Sequence, residues 1–168
     1  GVTVNPFVAL DVAGHEMSHG VTSVESGLVY SGESGGLNEA NSDIMGTMVE
    51  FYTNTASDKP DYLIGEKLYA HNTGTQALRY MFKPSLDGAS PDCYSGDIGD
   101  LNVHYSSGVA NHFFYLLSEG SGPKDIGGVH YDSPTFDNLP VPGIGRANAE
   151  KVWFKALSQY MSANTNYA

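Results

Sequence analysis

Glycine and proline cut this 168-residue chain into four segments of helical apolar spacing joined by long glycine-rich connections. That punctuation predicts a mainly α fold, because period-3.6 stripes bury only as packed helices. The first helix is expected from about Phe7 to Val21, with Phe7, Leu10, Met17 and Val21 near one stripe and Gly20 close to its stop. The second is expected from about Leu37 to Tyr52, where Ala40, Ile44, Met48, Phe51 and Tyr52 recur at helical spacing. A third spans about Ser107 to Glu119, closed by Gly120. The fourth covers about Gly145 to Tyr160, with Val152, Trp153, Ala156, Leu157 and Tyr160 on its apolar face. Leu28-Val29-Tyr30 reads as a short strand or extended turn. Ser85 to Asn102 and Gly120 to Pro142 are too rich in Gly, Pro, Asp and Ser to be regular, and are expected to be functional loops.

Composition removes several function classes. Eight Lys+Arg against nineteen Asp+Glu leave a net charge of −11, and the cations are scattered, so no basic stripe exists to displace counterions from nucleic acid. An anionic membrane surface is disfavoured for the same reason. The longest apolar run, around Phe113 to Leu117, falls far short of the ~20 residues that span a bilayer. Cys93 is the single cysteine, so it has no partner within the chain.

Chemistry enters at His15-Glu16-Met17-Ser18-His19, an H-E-x-x-H pattern inside the first predicted helix. Residues four apart lie one above the other on a helix, so both imidazoles can reach one metal while Glu16 stands beside it. A catalytic zinc takes three protein ligands and keeps a place for water. A third histidine six residues after His19 is absent, since Glu25 stands there and Thr22 replaces the accompanying glycine. Asn38-Glu39-Ala40-Asn41-Ser42-Asp43 supplies the alternative: Glu39 can bind the metal while Asp43, one turn on, accepts the N–H of a zinc histidine.

With these residues the chain resembles the thermolysin family of neutral zinc endopeptidases, the gluzincins. Gly27-Leu28-Val29-Tyr30, Val49-Glu50-Phe51-Tyr52, Ala77-Leu78-Arg79-Tyr80-Met81, Asn102-Val103-His104-Tyr105-Ser106-Ser107-Gly108 and Gly143-Ile144-Gly145-Arg146 extend the likeness over nearly the whole chain, nearest the vibriolysin and pseudolysin branch. The resemblance implies a zincin C-terminal-lobe type helical core with an active-site helix pair. It casts His15, His19 and Glu39 as zinc ligands, Glu16 as general base, and Tyr30 and His104 as donors to the developing oxyanion. Arg79 would bind a substrate carbonyl. Val12, Leu78 and Phe7 would line a pocket for the side chain after the cleaved bond, implying a preference for bulky apolar residues. The family orients the histidine at position 104 with a carboxylate; here Asn102 stands two before it, with Asp100 as a possible substitute.

A second ion is expected. Asp11 precedes His15 by one turn, Glu50 follows Glu39 by about three, and Asp61 and Glu66 follow in a loop, a cluster of four carboxylates that calls for a hard cation. The resemblance agrees, names calcium and adds the carbonyl of Leu63. It also implies a secreted protein acting on protein or peptide substrate. Only 14 residues precede His15, so residues 1–168 read as one domain, the central and C-terminal-lobe part of a two-lobed zinc protease truncated at both ends. As a cleaved product the chain would hold the missing segments as separate partner chains; a truncated gene product is another reading. Against the endopeptidase stands an alternative of another class, a catalytically inactive zinc- and calcium-binding fragment.

Overall fold

The computed structural model describes residues 5, 9–70 and 76–168. Among them are the helices α1 (Leu10–Glu25), α2 (Gly32–Thr53), α3 (Val103–Ser106), α4 (Gly108–Glu119) and α5 (Arg146–Gln159). Two antiparallel pairs accompany them: β1 (Leu63–Ile64) with β2 (Arg79–Tyr80), and β3 (Gly122–Ile126) with β4 (Val129–Ser133). The fold is mainly helical, as the apolar spacing predicts. No helix among the described residues is long and apolar enough to cross a membrane.

The second helix is the hub. Ala40, Ile44 and Met48 of α2 pack with Phe114 and Tyr115 of α4 and with Ala149, Trp153 and Leu157 of α5. Because neighbours cover α2 nearly all round, its polar residues are buried too, and each needs a partner. Trp153 Nε1 donates to Asn41 Oδ1 at 2.9 Å, and Asn41 Nδ2 donates to Thr22 Oγ1 at 2.7 Å, so one amide ties α5, α2 and α1 together.

Two glycines set how closely α1 and α2 approach. A Cβ on Gly46 would lie 2.3 Å from the Asp11 carbonyl oxygen, and one on Gly14 would lie 2.9 Å from Gly46 Cα. The helices therefore touch backbone to backbone at this crossing. They run antiparallel: Asp11 and Gly14 meet Gly46, while His19 bonds Asn38.

Three expectations are corrected and a fourth is narrowed. Gly20 does not stop the first helix; its position is solvent-facing and sterically free, and α1 continues to Glu25, beyond which Gly27 turns the chain at φ +65°. The second helix starts at Gly32, five residues before Leu37, because Gly35 and Gly36 are there for close packing: Cβ atoms would meet Val103 Cγ1 and Ser106 Oγ at 2.5 Å. Gly120 to Pro142 is not irregular throughout, since it contains the β3–β4 hairpin. Its Gly127-Gly128 corner has φ +63° and +92°, matching the primed turn that suits strand twist, and Tyr131 and Ser133 alternate inward. Of the two readings of Leu28-Val29-Tyr30 only the strand is excluded, and Val29 N–H donates to the Ala163 carbonyl at 2.8 Å. The third helix is α4, preceded by the single turn α3, and Ser85 to Asn102 holds only short 3-10 turns.

Candidate functional site

The close crossing of α1 and α2 brings His15 and His19, one turn apart, against Glu39 and Asp43, also one turn apart. His15 Nε2 and His19 Nε2 converge to 3.2 Å. Glu39 Oε2 lies 3.4 Å from the first nitrogen and Oε1 lies 3.5 Å from the second. The other ring nitrogens are engaged: His15 Nδ1–H donates to Asp43 Oδ1 at 2.7 Å and His19 Nδ1–H to Asn38 Oδ1 at 2.8 Å. Asn38 has its amide orientation set by donating Nδ2 to the Leu28 carbonyl at 3.0 Å. Because both Nδ1 atoms are committed to these acceptors, each ring in its neutral form presents Nε2 as the free lone pair on the side where Glu39 lies.

Electrostatics sharpen the picture. Burial opposes charge on His15, yet its hydrogen bond to Asp43 and the nearby Glu39 carboxylate win and push its pKa up to about 9. Burial likewise raises Glu39, but His15 and Tyr30 bring its carboxyl below the ordinary value. Asp43, fully buried, is held far below the carboxylate range by Arg79 and His15. Glu39 Oε2 is buried with no hydrogen-bond partner among the described residues. Two nitrogens and a carboxylate, each offering an atom within 4.8 Å of the others, fit a divalent metal of borderline character, and a cation there would satisfy that orphaned oxygen.

Around this cluster stand the other expected residues. The Tyr30 hydroxyl donates to Glu39 Oε1 and lies 3.5 Å from His104 Nε2. Burial and the neighbouring Glu39 raise the Tyr30 pKa above its ordinary value, so it stays a neutral donor. His104 Nε2 is 3.7 Å from Glu39 Oε2, and Asn102 Oδ1 accepts from its Nδ1 at 2.8 Å, so the amide and not Asp100 orients this ring. Glu16 is exposed on α1 and close enough to Tyr30 for its charge to be felt there. Arg79 sits on β2 rather than on a helix, and its Nε and Nη2 both bond Asp43 at 2.7 Å. Val12 packs with Ala9 and Leu68, and Leu78 covers Gly65 beside Leu68. Phe7 lies outside the described residues, as does His71.

The second cluster forms where the loop after α2 returns to the crossing. Asp11 Oδ2 accepts from Gly65 N–H at 2.5 Å, Glu50 Oε2 from Asp61 N–H at 3.2 Å, and Asp61 Oδ1 from the N–H of Leu63 at 2.7 Å. Asp11, Glu50, Asp61 and Glu66 are 1%, 1%, 7% and 2% exposed, an arrangement that like charges do not hold unaided. Burial, reinforced by neighbouring carboxylates, pushes Asp61 up to about 6 and Glu66 up to about 8, and raises Glu50 and Asp11 as well. Asp11 Oδ1 and Glu50 Oε1 have no hydrogen-bond partner among the described residues.

Three residues of these clusters escaped sequence reasoning. Asn38 could have been found, since it adjoins Glu39 in the quoted motif. Asp58, which joins Glu50 and Glu66 in the acidic cluster, lies in a loop with no periodicity to place it. Asn111, whose Nδ2 donates to Asp43 Oδ2 at 2.8 Å, sits in a predominantly apolar helix, where no local pattern marks it. His112 is buried between the Asp92 carbonyl and Ser133, a structural role, and His130 pairs with Asp125 at the surface. Cys93 is partly exposed and free.

Comparison with known proteins identifies the family. Residues 1–23 match the family described as thermolysin metallopeptidase, catalytic domain, and residues 26–168 match its alpha-helical domain. The transglutaminase-activating metalloprotease of Streptomyces mobaraensis is 64% identical over 162 residues, 96% of this chain and 21% of that protein. Thermolysin of Alicyclobacillus acidocaldarius is 42% identical over 173 residues, covering 100% of this chain and 29% of the relative. Among solved structures, the precursor of protealysin, a metalloproteinase from Serratia proteamaculans, superposes with a TM-score of 0.68 at 30% identity, over 99% of this chain and 50% of that one. The chain thus spans under a third of these curated relatives. Sequence likeness over nearly every residue and a shared helical architecture lead to one conclusion: the chain belongs to the thermolysin metallopeptidase family.

Proposed function

We propose that this chain is the metal-bearing helical part of a zinc endopeptidase that hydrolyses peptide bonds. The observation that carries the reading is the convergence of the His15 and His19 Nε2 atoms on a buried Glu39 carboxylate that has an oxygen left over. A zinc metalloproteinase of Legionella pneumophila, 49% identical over 113 residues, supports the choice of metal. Zinc bound by these three side chains would lower the pKa of water toward ~7 and polarise the scissile carbonyl.

The remaining chemistry belongs to the protein. Glu16, exposed beside the cluster, takes the proton of the attacking water on its carboxylate and returns it to the leaving amine. Tyr30 Oη and His104 Nε2 donate to the carbonyl oxygen as it becomes negative; for His104 this requires both ring protons, since Nδ1–H is committed to Asn102. Asp43 holds His15 in the tautomer that leaves Nε2 bare. Arg79 keeps N–H groups beyond the two spent on Asp43, and these meet a substrate carbonyl. Val12 and Leu78, flanking Leu68, favour a bulky apolar side chain after the cleaved bond.

Calcium is the proposed second ion, held by Asp11, Glu50, Asp61, the Leu63 carbonyl and Glu66; the support is the burial of four neighbouring carboxylates, with Asp11 Oδ1 and Glu50 Oε1 lacking a hydrogen-bond partner among the described residues. With Zn2+ and one Ca2+ the formal charge rises from −11 to −7. Such a low-affinity structural site fits an extracellular setting, hence a secreted protein. Residues 1–168 form one domain, the central and C-terminal-lobe part of a two-lobed zinc protease. Placement nearest the vibriolysin and pseudolysin branch rests on the sequence motifs alone.

A second reading is a zinc- and calcium-binding fragment without activity. Met17 and Val24 stand 79% and 82% exposed on the face of α1 that also presents Glu16, apolar surface that nothing among the described residues covers. Elemental analysis after dialysis should find one zinc per chain, and an internally quenched peptide should be cleaved in a chelator-sensitive way. Zinc without cleavage selects the second reading; no stoichiometric zinc refutes both.

A further inference from the structure

We propose that Asn111 is a positioning residue for the metal centre: its amide fixes the plane of the Asp43 carboxylate, and through it the His15 ring and the Arg79 guanidinium. The inference rests on the reading of His15, His19 and Glu39 as the zinc ligands. A carboxylate offers about four lone-pair sites, two on each oxygen. In Asp43 all four are taken. Oδ1 accepts from His15 Nδ1 and Arg79 Nη2, both at 2.7 Å, while Oδ2 accepts from Arg79 Nε at 2.7 Å and Asn111 Nδ2 at 2.8 Å. These donors come from α1, β2 and α4, so Asp43 on α2 is the point where four elements are pinned together.

Asn111 completes the set. Without its N–H, Oδ2 is left with Arg79 alone in a site that solvent does not reach, Asp43 being 0% exposed. The carboxylate is then free to rotate toward the guanidinium, and the His15 bond, which needs Oδ1 in its present place, lengthens. The amide carries a cost that a packing residue would not. Asn111 is 1% exposed, and its Oδ1 is buried with no hydrogen-bond partner among the described residues. A leucine of similar size would fill α4 without that orphaned oxygen. Nor can the amide turn over, since its oxygen would then face Asp43 Oδ2, acceptor against acceptor. What Asn111 contributes that leucine cannot is therefore the single N–H aimed at Asp43.

The test is zinc affinity, measured on the full 168-residue chain by competition with a chromophoric chelator. Asn111→Leu should weaken zinc binding about tenfold, the lower end of what loss of an outer partner such as Asp43 costs, since it acts through that carboxylate. In an Asp43→Asn background the same change should add nothing, because the contact it removes is already altered. Asn111→Ser, too short to reach Asp43, provides the same readout should the leucine variant fail to fold. Parent-like affinity in either variant overturns the proposal, and so do losses that simply multiply in the double variant, which is the behaviour of an independent packing defect. Failure of the parent chain to bind zinc would instead bring down the reading on which the proposal rests.

Discussion

At the scale of single residues, the site divides into groups that hold and groups that react. Glu16 touches none of the candidate ligands by hydrogen bond, so Glu16→Gln should leave zinc stoichiometry intact while kcat falls by about 10²–10⁴, the worth of a general base. Unchanged turnover would assign the proton transfer elsewhere. Asp43 is the opposite case. Asp43→Asn removes the charge that orients His15 and neutralises Arg79, whose side chain is only 15% exposed. Zinc affinity should drop about 10- to 100-fold, and stability by roughly 3–5 kcal/mol, because a buried guanidinium loses its partner. Chelator competition and denaturant titration measure the two separately. Residues of this kind were readable in the sequence where a helix repeats them at i and i+4, as with His15 and His19 or Glu39 and Asp43. Asn111 was not, because its partner lies 68 residues away and its own helix is predominantly apolar.

Elements tell a similar story about what periodicity can and cannot reveal. The last predicted helix nearly coincides with α5, since its apolar face is regular and Gly145 marks its start. The start of α2 is hidden because Gly35 and Gly36, which read as a break, are room for α3. Composition hides the β3–β4 hairpin, because Gly127-Gly128 reads as loop although it forms the corner between alternating strands. Two substitutions separate these uses of glycine. Gly20→Ala, at a helix position with nothing within 4 Å, should stabilise the protein by about 0.5–1 kcal/mol. Gly46→Ala gains the same helix propensity but drives a methyl to 2.3 Å from the Asp11 carbonyl, and should cost about 1–3 kcal/mol net. Thermal unfolding of the pair should show opposite signs; a stabilised Gly46→Ala would refute the close crossing.

Across the whole molecule, the acidic cluster governs how stability responds to pH. Asp61 and Glu66, pushed up to about 6 and about 8, bind their protons more tightly in the folded chain than in the unfolded one. Their favourable contribution is complete below the ordinary carboxylate value near ~4 and is lost as pH rises through the two folded values. Zinc-loaded, calcium-free protein should therefore lose Tm between about pH 5 and 9, and the rise in Tm on adding calcium should grow across the same interval. A calcium effect that is flat with pH would detach the ion from these carboxylates. The backbone contact at Gly14 and Gly46 lies between this cluster and the histidines, and main-chain atoms have no rotamers to relax. The gap between imidazole and carboxylate is consequently insulated from the hydrophobic interior: Ile44 or Met48 could be exchanged for residues of like volume, loosening the core, while the spacing of the ion-gripping atoms stayed as it is.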